Sequence, residues 1–264
     1  MFKTLSLSIL ILMILSVFLI WFFQRDLMYF PDRQRAKRKQ YHATHMDELS
    51  LTTKDGLNLY AWYKKPTTKK ITVVYFHGNA GHLGDRMVLI HSLLAKGYGA
   101  LILSYRGYAG NPGKPTEQGL YNDARATFDY LKSKKQNNLV IFGESIGTGV
   151  ASKIAVEYDI KALILQAPFK SMTAVAKFHY PWVIISPTDK YETIKRIDKI
   201  KVPLLIIHGK KDNIVPFKQA KQVFDAATTK DKKFLIFENK NHNDLWSESF
   251  LSSLLSFLDR IDKE

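Results

Sequence analysis

A chain of 264 residues, 46% hydrophobic and 24% charged, has the make-up of a folded protein with one sizeable core. It contains no cysteine, which excludes a disulfide framework, a zinc–thiolate site and a cysteine nucleophile. Lys and Arg number 39 against 24 Asp and Glu, a formal net charge of +15 that suits anionic lipid, nucleic acid or an acidic substrate.

The first element is a run without charge, Leu5 to Phe23, flanked by Lys3 and Arg25. Its length matches the roughly 20 apolar residues that one pass through a bilayer needs. It ends in Ile20-Trp21-Phe22-Phe23, bulky residues where a cleaved signal peptide has small ones. The reading is therefore an uncleaved N-terminal transmembrane helix, with Trp21 to Phe23 as an interfacial aromatic belt. Arg25, Arg33, Arg35, Lys37, Arg38 and Lys39 follow it and Lys3 precedes it, which leaves the side of the membrane open. Residues 1–40 form the anchor and a basic juxtamembrane segment, and residues 41–264 the globular domain.

Within that domain, Leu49 and Leu51, then Asp55-Gly56, then Leu57, Leu59 and Ala61 alternate as a β-hairpin. Ile71 to Phe76 is continuously apolar, the pattern of a strand buried on both faces, and runs into His77-Gly78-Asn79-Ala80-Gly81. A helix over Met87 to Ala95 stops at Gly97, and Ala100 to Leu103 is the next buried strand. Leu120, Ala124, Phe128 and Leu131 share one face of a further helix. Strands follow at Leu139 onward, Ala162 to Leu165, Val202 to Ile207 and Phe234 to Phe237. Helices are expected over Phe217 to Ala227 and at the C-terminus, where Leu251, Leu254, Leu255, Leu258 and Ile261 recur at helical spacing. Buried strands alternating with helices predict a mostly parallel, doubly wound α/β sheet of about eight strands with an antiparallel edge.

The chemistry centres on Gly143-Glu144-Ser145-Ile146-Gly147, which stands between a strand and a helix. Strand, Gly-x-Ser-x-Gly and helix in that order make a nucleophile elbow, a tight turn that lifts the serine above the sheet. Asp212 follows the strand Val202 to Ile207, and His242 follows Phe234 to Phe237. Loops at the carboxyl ends of parallel strands meet over one crevice, so Ser145, Asp212 and His242 converge there in the order Ser, Asp, His. Serine needs an imidazole to take its proton, and the imidazole needs a carboxylate to fix its tautomer. The backbone N–H of Ile146 and a donor at Asn79 supply the oxyanion hole. His208 reads as a packed strand-end histidine, and His77 as a residue shaping its loop. His82 and His179 read as surface histidines with substrate contact as the alternative, while Asp189 and Asp244 are weaker candidates for the acid.

These motifs resemble the α/β-hydrolase superfamily. The resemblance is to a membrane-anchored branch with Leu27 to Pro31 after the anchor, His-Gly-Asn-Ala-Gly, Tyr-Arg-Gly-Tyr, Gly-Glu-Ser-Ile-Gly, Gly-x-x-Asp-x-x-Val-Pro and Asn-His-Asn. It spans nearly the whole chain. It implies an α/β-hydrolase fold with a short helical cap, nucleophile Ser145, acid Asp212, base His242 and oxyanion donors Asn79 and Ile146. Ala109 stands where the branch usually has Gly, and Ser104 where Asp is common.

The cap falls at about residues 168–199 and is apolar through Phe169, Met172, Val175, Phe178, Tyr180, Trp182, Val183, Ile184 and Ile185. The function expected is a membrane-anchored serine hydrolase that cleaves carboxylic esters or thioesters of small-molecule or lipid-like acyl substrates through an acyl-enzyme on Ser145. A serine peptidase of the same fold and a non-catalytic tethered scaffold are the alternatives. No cofactor or metal is implied. The lysines are scattered without an aromatic-interleaved basic run, which argues against a nucleic-acid partner.

Overall fold

The computed structural model describes residues 2–264, with the side chains of residues 2–7 and of Leu10 left aside. Helix α1 (Phe2–Phe22) is followed by a two-residue strand β1 (Phe30–Pro31), and the hairpin is β2 (Asp47–Thr52) and β3 (Asn58–Lys64). Then come β4 (Thr72–Phe76), the short β5 (Ala80–Gly81), α2 (Met87–Ala95), β6 (Gly99–Leu103), α3 (Glu117–Ser133), β7 (Leu139–Glu144) and α4 (Ile146–Ile154). The chain finishes with β8 (Ala162–Gln166), α5 (Met172–His179), β9 (Leu204–Gly209), α6 (Phe217–Ala226), β10 (Lys232–Phe237) and α7 (Glu248–Lys263).

Eight strands form one sheet in the order β10-β9-β8-β7-β4-β6-β3-β2. All its pairings are parallel except β2–β3 and β3–β6, the antiparallel edge that the Asp55-Gly56 turn foretells. The central strands are apolar at successive positions because both faces are covered. In β7, Leu139 and Ile141 pack with α3, α4 and α6 through Phe128, Val150 and Val223, whereas Val140 and Phe142 pack with α2 and α7 through Ile90 and Leu254. Caps close the helices locally: Thr116, Ser171 and Ser247 accept hydrogen bonds from the backbone N–H of Gly119, Ala174 and Phe250. Strand β9 begins at Leu204, two residues later than its apolar pattern, because Pro203 has no N–H to give to a ladder.

Among the described residues, no helix is long and apolar enough to cross a membrane. The side chains of Leu5, Ser6, Leu7 and Leu10, part of the run read as an anchor, lie outside the described residues. From Ser8 to Phe23 the described apolar side chains of this run are mostly exposed. The segment after α1 does not hang free as a linker. Strand β1 pairs in parallel with β5, and Met28, Tyr29 and Ala36 are buried in the domain. The chain between β8 and β9 carries α5 and two short 3₁₀ turns, Thr193–Lys195 and Ile197–Lys199. It passes over the carboxyl end of the sheet.

Candidate active site

Ser145 sits between β7 and α4 with φ 52° and ψ −118°, a backbone region costly for a residue with a Cβ. The neighbours hold it there. Its N–H donates to the Gln166 carbonyl at 2.9 Å, and the two flanking glycines admit backbone where a side chain could not fit. A Cβ at Gly147 would lie 2.1 Å from the Phe76 carbonyl oxygen, and one at Gly143 would lie 2.5 Å from that of Gly147. The strand–glycine–helix pattern is thus a packing requirement, and its result is a hydroxyl at the floor of a cavity.

The Ser145 Oγ is 3.0 Å from Nε2 of His242, and His242 Nδ1 is 2.6 Å from Oδ2 of Asp212. Asp212 follows β9 and His242 follows β10, and both loops close over the end of the sheet. The other oxygen of Asp212 accepts from the backbone N–H groups of Ile214 and Val215, at 2.9 and 2.8 Å. Burial works to raise the Asp212 carboxyl, but hydrogen bonds from His208 and His242 outweigh it and hold the group below the usual carboxylate range. An ionised Asp212 facing Nδ1 requires the proton on that nitrogen and leaves Nε2 as an acceptor for the serine hydroxyl.

His208 is fully buried, as a packed strand-end histidine would be, yet it also touches Asp212. Its Nε2 lies 2.9 Å from the Val215 carbonyl and 3.2 Å from Asp212 Oδ2. A carbonyl can only accept, so Nε2 carries the proton and shares it with the carboxylate. The two weaker acid candidates have other partners. Asp244 accepts from the Asn241 N–H at 2.6 Å and shapes the histidine loop, and Asp189 binds Arg25 and Tyr29.

Ile146 is the first residue of α4, so its N–H has no intrahelical acceptor four residues back. The Asn79 side chain donates to the Met28 carbonyl at 3.0 Å, and its own carbonyl accepts from Phe30 N–H and the Tyr108 hydroxyl. Both Asn79 and Ile146 line the cavity with Ser145 and His242. His77 is buried, with Nδ1 donating to the Gly78 carbonyl at 2.7 Å. Burial, with the Arg86 charge behind it, pushes its pKa down to about 3, so it is neutral and braces the loop. His82 is buried in its own turn, accepting from Gly84 N–H, while His179 lines the cavity rim and donates to the Ile214 carbonyl at 2.8 Å.

Two features were not legible from local sequence. Glu144 accepts from Arg86 through both oxygens, at 3.0 and 3.1 Å, and from the Tyr75 hydroxyl at 2.8 Å. Arg86 also donates to the Ala80 carbonyl at 3.0 Å, so this pair ties the Asn79 loop to the elbow. Burial works to raise the Glu144 carboxyl, and the Arg86 charge together with the hydrogen bonds from Arg86 and Tyr75 outweighs it, leaving the group below the ordinary glutamate value. The second feature is the cavity wall. The space of about 510 Å³ above Ser145 is lined not only by Phe169, Met172, Val175, Tyr180, Val183 and Ile185 of the covering segment but also by residues at the end of α1. Trp182, Ile184 and Phe178 of the same segment are exposed. Among the described residues no cluster of side chains could hold a metal ion.

Residues 67–186 and 190–249 match the family described as serine aminopeptidase, S33. The chain is 35% identical over 235 residues to an uncharacterized protein of Mycobacterium tuberculosis, covering 86% of this chain and 83% of that one. It is 31% identical over 242 residues to protein bem46 of Schizosaccharomyces pombe, covering 84% and 81%. Among solved structures, the esterase Pf2001 of Pyrococcus furiosus superposes with a TM-score of 0.74 at 20% identity, over 89% of this chain and 98% of that one.

Proposed function

Because the chain belongs to the serine aminopeptidase S33 family of α/β hydrolases, we propose that it is a serine hydrolase of acyl esters or thioesters, attached to lipid through α1. The observation that carries the reading is the row Ser145–His242–Asp212, at 3.0 and 2.6 Å, opening onto an apolar cavity. In this reading Ser145 Oγ attacks the acyl carbonyl while His242 Nε2 takes its proton. The carbonyl oxygen becomes an oxyanion facing the N–H groups of Ile146 and Asn79, each worth about 3–4 kcal/mol of barrier. Collapse of the adduct expels the alcohol or thiol, which leaves with the proton from His242, and an ester on Ser145 remains. Water then gives its proton to His242, attacks that ester and releases the acid. Asp212 keeps Nδ1 protonated through both halves.

The same constellation cleaves amides, and the family's description favours that alternative. An aminopeptidase needs a free carboxylate to hold the substrate's α-ammonium group. Among the described residues lining the cavity the carboxylate is Glu144, and Arg86 already occupies it. The apolar lining therefore favours an acyl chain. Attachment to lipid rests on the run Leu5 to Phe23 without charge, on the 21 residues of α1, and on its exposed Leu12, Ile14, Phe18 and Phe22.

A fluorophosphonate probe on the full chain in detergent tests the reading. Labelling that disappears in Ser145→Ala is expected, together with turnover of p-nitrophenyl esters. A folded wild-type chain that takes no label would sink it.

A further inference from the structure

The lining of the cavity over Ser145 includes Ile20, Trp21, Gln24 and Leu27. These positions are spaced i, i+1, i+4 and i+7, one face of a helix, and the helical hydrogen bonds run past α1: Phe23 N–H donates to Leu19 and Leu27 N–H to Phe23. The end of α1 thus forms part of the cavity wall. It is fastened there by polar contacts at its edge. Arg25 donates to Asp189 through Nε at 3.0 Å and Nη2 at 3.3 Å, and the Tyr29 hydroxyl donates to the same carboxylate at 3.0 Å. Tyr191 donates in turn to the Tyr29 oxygen at 2.8 Å, and Gln24 Oε1 accepts from both N–H and hydroxyl of Thr188, at 2.7 and 3.0 Å. Asp189 is only 4% exposed, so its charge is matched by donors that α1's end and the following turn bring to it. A segment that served as a tether alone would need no such lock. The lock engages the polar groups at the margin and leaves Ile20, Trp21 and Leu27 for the cavity.

We propose that the end of α1 is the far wall of the acyl site, and that the substrate is a long-chain acyl ester lodged in a lipid surface. This rests on the serine-hydrolase reading of Ser145. The carbonyl sits between Ser145 and the N–H groups of Asn79 and Ile146. The chain runs beneath Met172 and Val175 and ends against Trp21 and Leu27. Beyond them the exposed side of α1, with Phe18 one turn back, continues the apolar path toward lipid. Selectivity for chain length is then a property of the helix that attaches the protein, and lipid attachment and substrate choice are one device.

The test uses the full chain in mixed detergent micelles with p-nitrophenyl laurate and butyrate. Trp21→Ala and Leu27→Ala are the variants, because both side chains are about half exposed and the fold does not depend on them. The ratio of kcat/KM for laurate over butyrate is expected to fall about tenfold in each, the scale of effect when an apolar pocket packs less closely on its substrate. An unchanged ratio, with Ser145 still labelled by a short-chain fluorophosphonate, overturns this inference and leaves the hydrolase reading standing. A folded wild-type chain that takes no label overturns both.

Discussion

The floor and the roof of the cavity are built on opposite principles. The floor consists of Ser145, His242, Asp212 and the Asn79 loop, each fixed by several hydrogen bonds to backbone or to a buried partner. The roof consists of α5, the chain to Lys190 and the end of α1, and presents Trp182 and Ile184 to solvent. Its polar fastenings lie around Asp189 and Thr188 and at His179, which donates to the Ile214 carbonyl. Groups that must sit within a few tenths of an ångström of a reacting carbonyl need such over-determination. Apolar side chains that meet a flexible acyl chain do not, because dispersion and burial are tolerant of direction. The proposed function therefore places chemistry below and substrate choice above, and substitutions in the two regions should have different signatures.

The sharpest break of the floor is Ser145→Ala. The rate of ester hydrolysis is expected to fall by about four to six orders of magnitude, with thermal stability kept, since alanine retains the Cβ and the same backbone strain. Steady-state assays beside a thermal melt check this. Retention of even a tenth of the rate would mean that the cleaving residue lies elsewhere.

Glu144→Gln tests how the floor is held. It leaves the Arg86 guanidinium, 11% exposed, facing a neutral amide, and a broken buried ion pair costs about 3–5 kcal/mol. The carboxyl is held below its ordinary value in the folded protein, so its stabilisation is complete above the unfolded glutamate pKa of about 4.3. It fades as pH falls through the depressed native value. The stability gap between wild type and variant, measured by urea unfolding, should be full at pH 7 and shrink below about pH 4. A gap that widens on acidification would contradict the assignment of the charge to Glu144.

Much of the floor could be read from the sequence because each part of it is local. The glycines at 143 and 147 mark the elbow within five residues, and Asp212 and His242 stand just past apolar runs that read as strands. The sheet, its antiparallel edge and the covering helices follow from the same periodicities. What could not be read is long-range. Gln24 and Thr188 are 164 positions apart, and Arg86 and Glu144 are 58 apart. No periodicity links such pairs. The stretch after α1 reads as a basic juxtamembrane segment because its charges dominate, whereas Met28, Tyr29 and Ala36 between those charges are buried. The one pointer was the Leu27 to Pro31 segment, whose apolar side chains have no reason to stand next to charged residues unless they pack.

His208 lies between the two regions in effect. A neutral replacement of similar bulk, His208→Leu, removes one donor from Asp212, and its carboxyl should rise toward the ordinary range while the hydrogen bond to His242 persists. Hydrogen bonds to charged groups are worth about 1.5–3 kcal/mol, so kcat/KM should drop between tenfold and a hundredfold. Complete labelling at long incubation, with a slower rate, separates this loss of positioning from misfolding.

The smallest effect is expected on the roof, and it is the one that tests the division itself. Ile184 is 88% exposed, so Ile184→Ser should leave the unfolding free energy within about 0.5 kcal/mol of wild type. An isoleucine so exposed is tolerable where it meets apolar matter in use, and full burial of such a side chain is worth about 1.5–3 kcal/mol. Ile184 does not line the cavity itself, and partial contact with a lipid surface recovers only a fraction of that. KM for a laurate ester held in micelles should rise by less than about tenfold while kcat stays level, since the floor is untouched. A fall in kcat with KM unchanged would mean that the roof takes part in fixing the reacting groups, and the separation between a rigid floor and a permissive roof would fail.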